Sequence, residues 1–265
     1  MARLAMVSGA SSGIGEAYAR RLAADGWDLL VVARRRERLD ELAAGLQAAH
    51  DVSVRTIPAD LSRYDDVMNV CEALEEEPVE MLVNNAGLAH YMLFAELPAD
   101  QARELVDLNA AAPLLMTRAA VTGMIARERG SIINVASLLA FSGTADAPFL
   151  PKRAVYAATK SFLVTFSEVL AGELLPLGIG VQVVCPGVVR SEFHSRQGMD
   201  MSAVPRMDPD QVVEASLIDL ANGVVVSVPG LADSDALTRL ESVSDELVSV
   251  ARTADLPERY LPKTA

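Results

Sequence analysis

The sequence predicts an α/β protein: a single-domain, doubly wound seven-stranded parallel sheet with helices on both faces. Three observations carry this. Short aliphatic runs recur seven times along the 265 residues. Most of them are apolar at every position rather than at alternate ones, as strands covered on both faces are. Stretches rich in Ala, Leu, Glu and Arg, with helical period, lie between them. A chain of this length with 51% hydrophobic and only 5% aromatic residues can bury one large core built mainly from aliphatic side chains. In a sheet of this class the ligand crevice lies beyond the carboxyl ends of the strands.

The first run, 3–8, leads into Gly9-Ala10-Ser11-Ser12-Gly13-Ile14-Gly15, and a helix is expected over 14–25. Glycines here let the backbone turn tightly and approach a pyrophosphate, whose charge meets amide groups at a helix N-terminus. The spacing is not the commonest dinucleotide fingerprint, and a glycine-rich turn can also be only a turn. The second strand, 28–33, ends at Ala33, where an NAD site places a carboxylate against the ribose. Arg34 and Arg35 follow instead, and arginine matches a phosphate bidentately, so the expected cofactor is NADP(H).

A helix over 37–49 and a strand over 52–57 precede Asp60-Leu61, which offer a carboxylate and backbone groups for an adenine ring. Alternatively Asp60 caps the helix expected over 63–77, a task Ser62 could perform equally well. A strand at 79–83 and a long helix at 99–128 come next. The fifth strand, 130–136, ends beside Ser137, and a stretch from Phe141 to Arg153 interrupts the pattern. That stretch contains Pro148, Phe149, Leu150 and Pro151, and is either a wall of the substrate pocket or a surface excursion.

In the helix over 155–175, Tyr156 and Lys160 are four residues apart and share a face. A phenol is a poor base at neutral pH, and lowering its pKa from about 10 to about 7 needs roughly 4 kcal/mol, which an adjacent ammonium in a partly desolvated cleft can supply. The last strands are read at 179–185 and 224–228, with an irregular segment from Val188 to Pro209 between them.

These residues resemble the classical short-chain dehydrogenases/reductases over roughly the first 230 positions. The resemblance implies that Gly9, Gly13 and Gly15 bind the cofactor phosphates, and that Asn84 to Gly87, including Asn85 and Ala86, stabilise the sheet beside the cofactor. It implies that Ser137 holds the substrate oxygen, that Tyr156 moves its proton, and that Lys160 binds the nicotinamide ribose and depresses the Tyr156 pKa. Asn109 would anchor a water connecting Lys160 to solvent. Pro186, Gly187, Val188 or Val189, and Ser191 would hold the carboxamide end. The implied reaction is hydride transfer between NADP(H) and a carbonyl or alcohol carbon. Within one domain, 1–110 would then serve mainly the cofactor, 130–210 catalysis and substrate, and 233–265 would form a helical tail.

Met92, Leu93, Phe94, Phe193, Met199 and Met201 fall in segments expected near the crevice, and suit a moderately bulky apolar ketone or aldehyde. His90 and His194 are assigned no chemistry, and three scattered histidines have no metal-ligand spacing. The formal net charge of -13 disfavours nucleic acid and acidic membranes, and no run is long enough to span a bilayer. A strand beginning near Arg3 leaves no room for a targeting peptide, and Cys71 and Cys185 read as buried thiols, so the expected location is the cytoplasm. Ala110 to Ala112 with Ala119 and Ala120 permit close helix contact, which goes with the homodimer or homotetramer the resemblance implies. Two rivals remain: a non-catalytic NADP(H) sensor or scaffold, and a dehydratase or epimerase using the same Tyr/Lys pair.

Overall fold

The computed structural model describes residues 3–145, 149–252, 257 and 260. Met1–Pro229 forms one compact unit and Gly230–Ala265 a second. In the first unit the strands are β1 (Leu4–Ser8), β2 (Asp28–Ala33), β3 (Val54–Pro58), β4 (Val79–Asn84), β5 (Gly130–Val135), β6 (Ile179–Val184) and β7 (Val226–Ser227). They make one sheet in the order β3-β2-β1-β4-β5-β6-β7, every neighbouring pair parallel. This is the doubly wound Rossmann arrangement that the unbroken aliphatic runs predict. Successive side chains of one strand point to opposite faces. Ala5, Val7 and Val31 thus enter one core, and Leu4, Met6 and Leu30 the other.

The helices α1 (Gly13–Ala24), α2 (Arg36–Ala49), α3 (Tyr64–Glu76), α4 (Ala99–Val106), α5 (Ala112–Ala126), α6 (Ala154–Leu174) and α7 (Pro209–Ala221) cover those faces. The stretch 99–128, expected as one helix, is helical from Ala99 to Ala126 and changes pitch on the way: Asp107–Ala111 is a π-helical turn between α4 and α5. Helix α7 was not singled out from the pattern, although Asp208-Pro209-Asp210-Gln211 is a helix-start signature, with proline at the first position and Asp208 N donating to Gln211 Oε1 at 3.1 Å. The second unit carries α8 (Asp235–Ser249), within the expected helical tail; residues 253–256, 258–259 and 261–265 of that tail lie outside the described residues.

The alanine argument for assembly meets a competing use. Ala112, Ala119 and Ala120 are buried in this chain's own core, beside residues of α3 and β4. No helix among the described residues is long and apolar enough to cross a membrane.

The strand order reverses between β1 and β4, and the crevice opens beyond their carboxyl ends. Buried amides lie beneath it. Asn84 and Asn134 sit opposite each other in the β4–β5 register. Asn84 Nδ2 donates to Asn134 Oδ1 at 2.9 Å and to Thr117 Oγ1 at 3.0 Å, and Asn134 Nδ2 donates to Ser167 Oγ at 2.9 Å. Shared bonds offset the cost of burying these groups, and tie α5 and α6 to the strands that carry the site.

Candidate active site

One cavity of about 780 Å³ runs along the strand ends, in the upper part of the size range of ligand sites. At one end lies the turn after β1. Gly9 has φ +68°, and a Cβ there would stand 2.6 Å from Asn85 Nδ2 and 2.9 Å from Ala86 Cα, so only glycine fits. Gly13 has φ +59° and would carry its Cβ 3.0 Å from that of Ser191. Gly9, Ser11, Ser12, Gly13 and Ile14 line the cavity, and the Ser12 side chain makes no capping bond to α1. The first-turn amides of α1 are therefore left for an anion. Gly15, read as a phosphate ligand, does not line the cavity: it is buried against Gly9 and Asn85 and lets the helix close on the turn.

Arg34 and Arg35 both line this end, but they differ. Arg34 is exposed, while Arg35 turns inward and donates to Ser11 Oγ (2.9 Å), Ser11 O (3.0 Å) and Ser12 Oγ (3.0 Å). Asp60 and Leu61 line the wall as well. Neither Asp60 nor Ser62 caps α3, whose N-cap position is Arg63. Asp60 Oδ1 instead accepts from Ser62 N and Oγ at 3.1 and 2.8 Å, an Asx turn that fixes the loop. Asn85, Ala86 and Gly87 follow β4 into the cavity, and Asn85 Nδ2 donates to Ser8 O at 3.0 Å. Glycines where a Cβ would collide, a helix start without a side-chain cap and two guanidinium groups together form a donor set that fits a phosphorylated dinucleotide.

The other end gathers Ser137, Tyr156 and Lys160. Ser137 Oγ accepts from Leu139 N at 3.1 Å. Ser137 and Tyr91 both hydrogen-bond to the Tyr156 hydroxyl, and the Tyr91 and Tyr156 rings meet edge to face at 5.5 Å. Burial raises the Tyr156 phenol to about 12, against the lowering effect of those two hydrogen bonds. The expected depression by Lys160 is not what dominates here. The Lys160 ammonium points at Val135 O, 2.9 Å away, lies 5.8 Å from the Tyr156 ring centre, and is itself held down to about 8 by desolvation. In this state Tyr156 is a neutral acid.

Asn109 sits in the π-helical turn, fully buried. Its Oδ1 accepts from Leu88 N at 3.0 Å, and its Nδ2 donates to Leu88 O at 2.9 Å and Thr159 Oγ1 at 3.3 Å. The side chain thus locks the post-β4 loop to α6, and it does not line the cavity. A π-turn is a common accompaniment of functional sites, yet its pitch leaves no mark in the hydrophobic pattern.

Pro186, Gly187, Val188, Val189 and Ser191 line the cavity beyond β6, with Phe193, Met199 and Met201 further along. Met92, Leu93 and Phe94 do not, and Leu93 and Phe94 are exposed. Their neighbour Tyr91 takes that place. His194 stacks on Tyr91 at 6.4 Å, and burial keeps its imidazole below its ordinary pKa, hence neutral at pH 7. His90 faces Glu104 at 3.2 Å, away from the chemistry.

The stretch from Phe141 to Arg153 is a wall: Phe141, Ser142, Ala145, Phe149, Leu150 and Pro151 line the cavity. Pro148 lies outside the described residues. Arg153 staples the stretch, donating to Ser142 Oγ and Ser142 O (both 2.7 Å), Ala145 O (3.0 Å) and Pro151 O (3.0 Å).

Comparison with known proteins agrees with this geometry. Residues 3–201 match the family model of the short chain dehydrogenases. The chain is 34% identical over 219 residues to a very-long-chain 3-oxoacyl-CoA reductase of Pyrenophora tritici-repentis, covering 80% of this chain and 62% of that one. It is also 34% identical over 194 residues to the inactive hydroxysteroid dehydrogenase-like protein 1 of Homo sapiens, covering 72% and 57%. The chain spans about three fifths of the length of these curated relatives. Among solved structures, a short-chain dehydrogenase from Sphingobium yanoikuyae in complex with NADPH superposes with a TM-score of 0.92 at 34% identity, covering 97% of this chain and 100% of that one. The bulky-bulky ketone specific alcohol dehydrogenase of Comamonas testosteroni gives 0.88 at 34% identity, covering 98% and 99%. With residues 3–201 matched and the fold superposable along nearly its whole length, this chain belongs to the short chain dehydrogenase family.

Proposed function

We propose that the chain is an NADP(H)-dependent reductase of ketones or aldehydes that carry moderately bulky apolar groups. One observation carries the reading: a single cavity has the glycine turn with Arg34 and Arg35 at one end and Ser137, Tyr156 and Lys160 at the other. Gly9, Ser11 to Gly13, Arg34 and Arg35 hold the phosphates and the adenosine side of the cofactor; Asn85 to Gly87, Lys160, Pro186, Gly187, Val189 and Ser191 hold its nicotinamide side. When bound, the reduced nicotinamide supplies the hydride. Ser137 donates a hydrogen bond to the substrate oxygen and orients it. Tyr156, neutral because it is buried, gives its phenolic proton to the same oxygen as charge develops there. Lys160 steadies the phenolate left behind. The predominance of carbon in the far wall favours an apolar substituent.

The test is the loss of nicotinamide absorbance with NADPH and, separately, NADH against a panel of ketones and aldehydes. Faster turnover with NADPH and with bulkier apolar ketones is expected; turnover favouring NADH would remove the NADP(H) part of the reading. In the same assay Arg35→Ala should raise the KM for NADPH by about 10- to 100-fold, the worth of a charge-assisted contact of about 1.5–3 kcal/mol, and leave that for NADH nearly unchanged. Arg153→Ala should release the wall it staples, removing four hydrogen bonds of about 1 kcal/mol each at most. The expected result is a KM for bulky ketones several-fold higher, on the order of 1 kcal/mol, with small ketones unaffected. An unchanged ranking of substrates would mean that the wall does not select.

A further inference from the structure

Glu192 takes no part in the chemistry above, yet it lies where three guanidinium groups meet. Its carboxylate is 2.9 Å from Arg35 Nη1 and 2.7 Å from Arg38 Nη1, and it also pairs with Arg196. Arg35, the N-cap residue of α2, lines the dinucleotide end of the cavity; Arg38, in the first turn of α2, lies with Glu192 along an adjoining cleft beside α1, and Arg196 belongs to Glu192's own segment. The hydrogen bonds from Arg38 and Arg35 hold the Glu192 carboxyl down to about 2, so it is an anion at neutral pH. The remaining donors of Arg35 are spent on Ser11 and Ser12. A serine hydroxyl can rotate and donate to an incoming phosphate, whereas a carboxylate can only accept. Ser11 O also only accepts, but it is uncharged; Glu192 is the partner of Arg35 whose negative charge repels a phosphate. The same segment presses Ser191 against Gly13 and holds the Phe193 ring 6.1 Å from that of Tyr156.

We propose that Glu192 is a resident competitor for the 2′-phosphate of the cofactor: its carboxylate occupies Arg35 and Arg38, a 2′-phosphorylated dinucleotide displaces it, and the displacement frees the segment 190–197 that carries Phe193 beside Tyr156. The inference rests on the NADP(H) reading and deepens it. Glu192 sets the margin by which the phosphorylated cofactor is preferred, because each such molecule must first part a carboxylate from two arginines. The phosphate is thereby felt at the substrate wall, through a segment that touches both ends of the cavity.

The experiment is calorimetric titration of the full chain with adenosine 2′,5′-bisphosphate and with AMP, fragments that lack the nicotinamide, in the parent protein and in Glu192→Gln. The Glu192 side chain is 42% exposed, so glutamine keeps its size without disturbing the core. Removing the repulsion between a carboxylate and a phosphate should tighten the bisphosphate about tenfold, with AMP unchanged. Hydrogen exchange across 190–197 in the parent should quicken with the bisphosphate and not with AMP. An unchanged or weaker affinity of Glu192→Gln for the bisphosphate overturns the proposal, since the carboxylate would then be bracing Arg35. Bisphosphate bound no better than AMP by the parent overturns the NADP(H) reading itself, and this inference with it.

Discussion

Replacing Tyr156 with Phe is expected to lower turnover by about 10³-fold and to leave NADPH binding, followed by fluorescence, within about twofold. Phenylalanine keeps the packing against Tyr91 and Phe193 and removes only the hydroxyl. The size of the loss follows from the weakness of any substitute acid: of the other hydroxyls bonded to that oxygen, Tyr91 is a phenol that burial pushes up further than Tyr156, and Ser137 is an aliphatic alcohol, a weaker acid than a phenol. Direction matters as well. With the phenol raised to about 12, Tyr156 is protonated throughout the neutral range, the form that serves carbonyl reduction. Alcohol oxidation needs the phenolate, so its rate should climb with pH where the rate of reduction does not. Retention of full turnover in Tyr156→Phe would show that another group gives the proton, whereas a parent chain that binds NADPH without any turnover, and is indifferent to the change, would be a sensor. The similarity to a human relative named as inactive makes that outcome informative.

Lys160→Met is expected to stabilise the protein without dinucleotide while lowering turnover by about 10²-fold. The ammonium is buried, and its pKa falls from the ordinary 10.5 to about 8. Between those values the unfolded chain binds more protons than the folded one, so this group's contribution to stability rises with pH through about 8 to 10.5 and is at its worst below 8. The penalty at pH 7 is about 3 kcal/mol at most, offset by about 1 kcal/mol from the bond to Val135 O. Methionine should therefore gain about 2 kcal/mol in urea unfolding at pH 7, and the gain should shrink towards pH 10. A loss of stability at pH 7 would mean that the surrounding dipoles hold the ammonium better than burial penalises it. Storing an uncomfortable charge beside the acid is one way an active site trades stability for function.

How far the sequence reaches can be judged from particular residues. The positions of Ser137, Tyr156 and Lys160 were legible because strand ends and helix faces follow from periods of 2 and 3.6, and those periods are local. The Gly9 to Gly15 turn was legible because a left-handed backbone leaves glycine at fixed offsets, although the division of labour that takes Gly15 out of the cavity was not. Asp60 shows the limit. Both functions proposed for it were reasonable for an aspartate after a strand, but the choice depended on where α3 begins, four residues further on.

The sequence by itself determined the parallel sheet, the end of it that carries the chemistry, and the acid/base candidates, because each leaves a periodic pattern among residues close in the chain. Only the tertiary structure decided that Arg35 rather than Arg34 turns inward, that Tyr91 joins Tyr156, that Asn109 is used up by Leu88, and that Glu192 meets the arginines of α2. Each of those is a meeting of residues tens to more than a hundred positions apart, or a change of pitch within a helix. Such meetings are settled by the packing of the whole sheet, which no local pattern encodes.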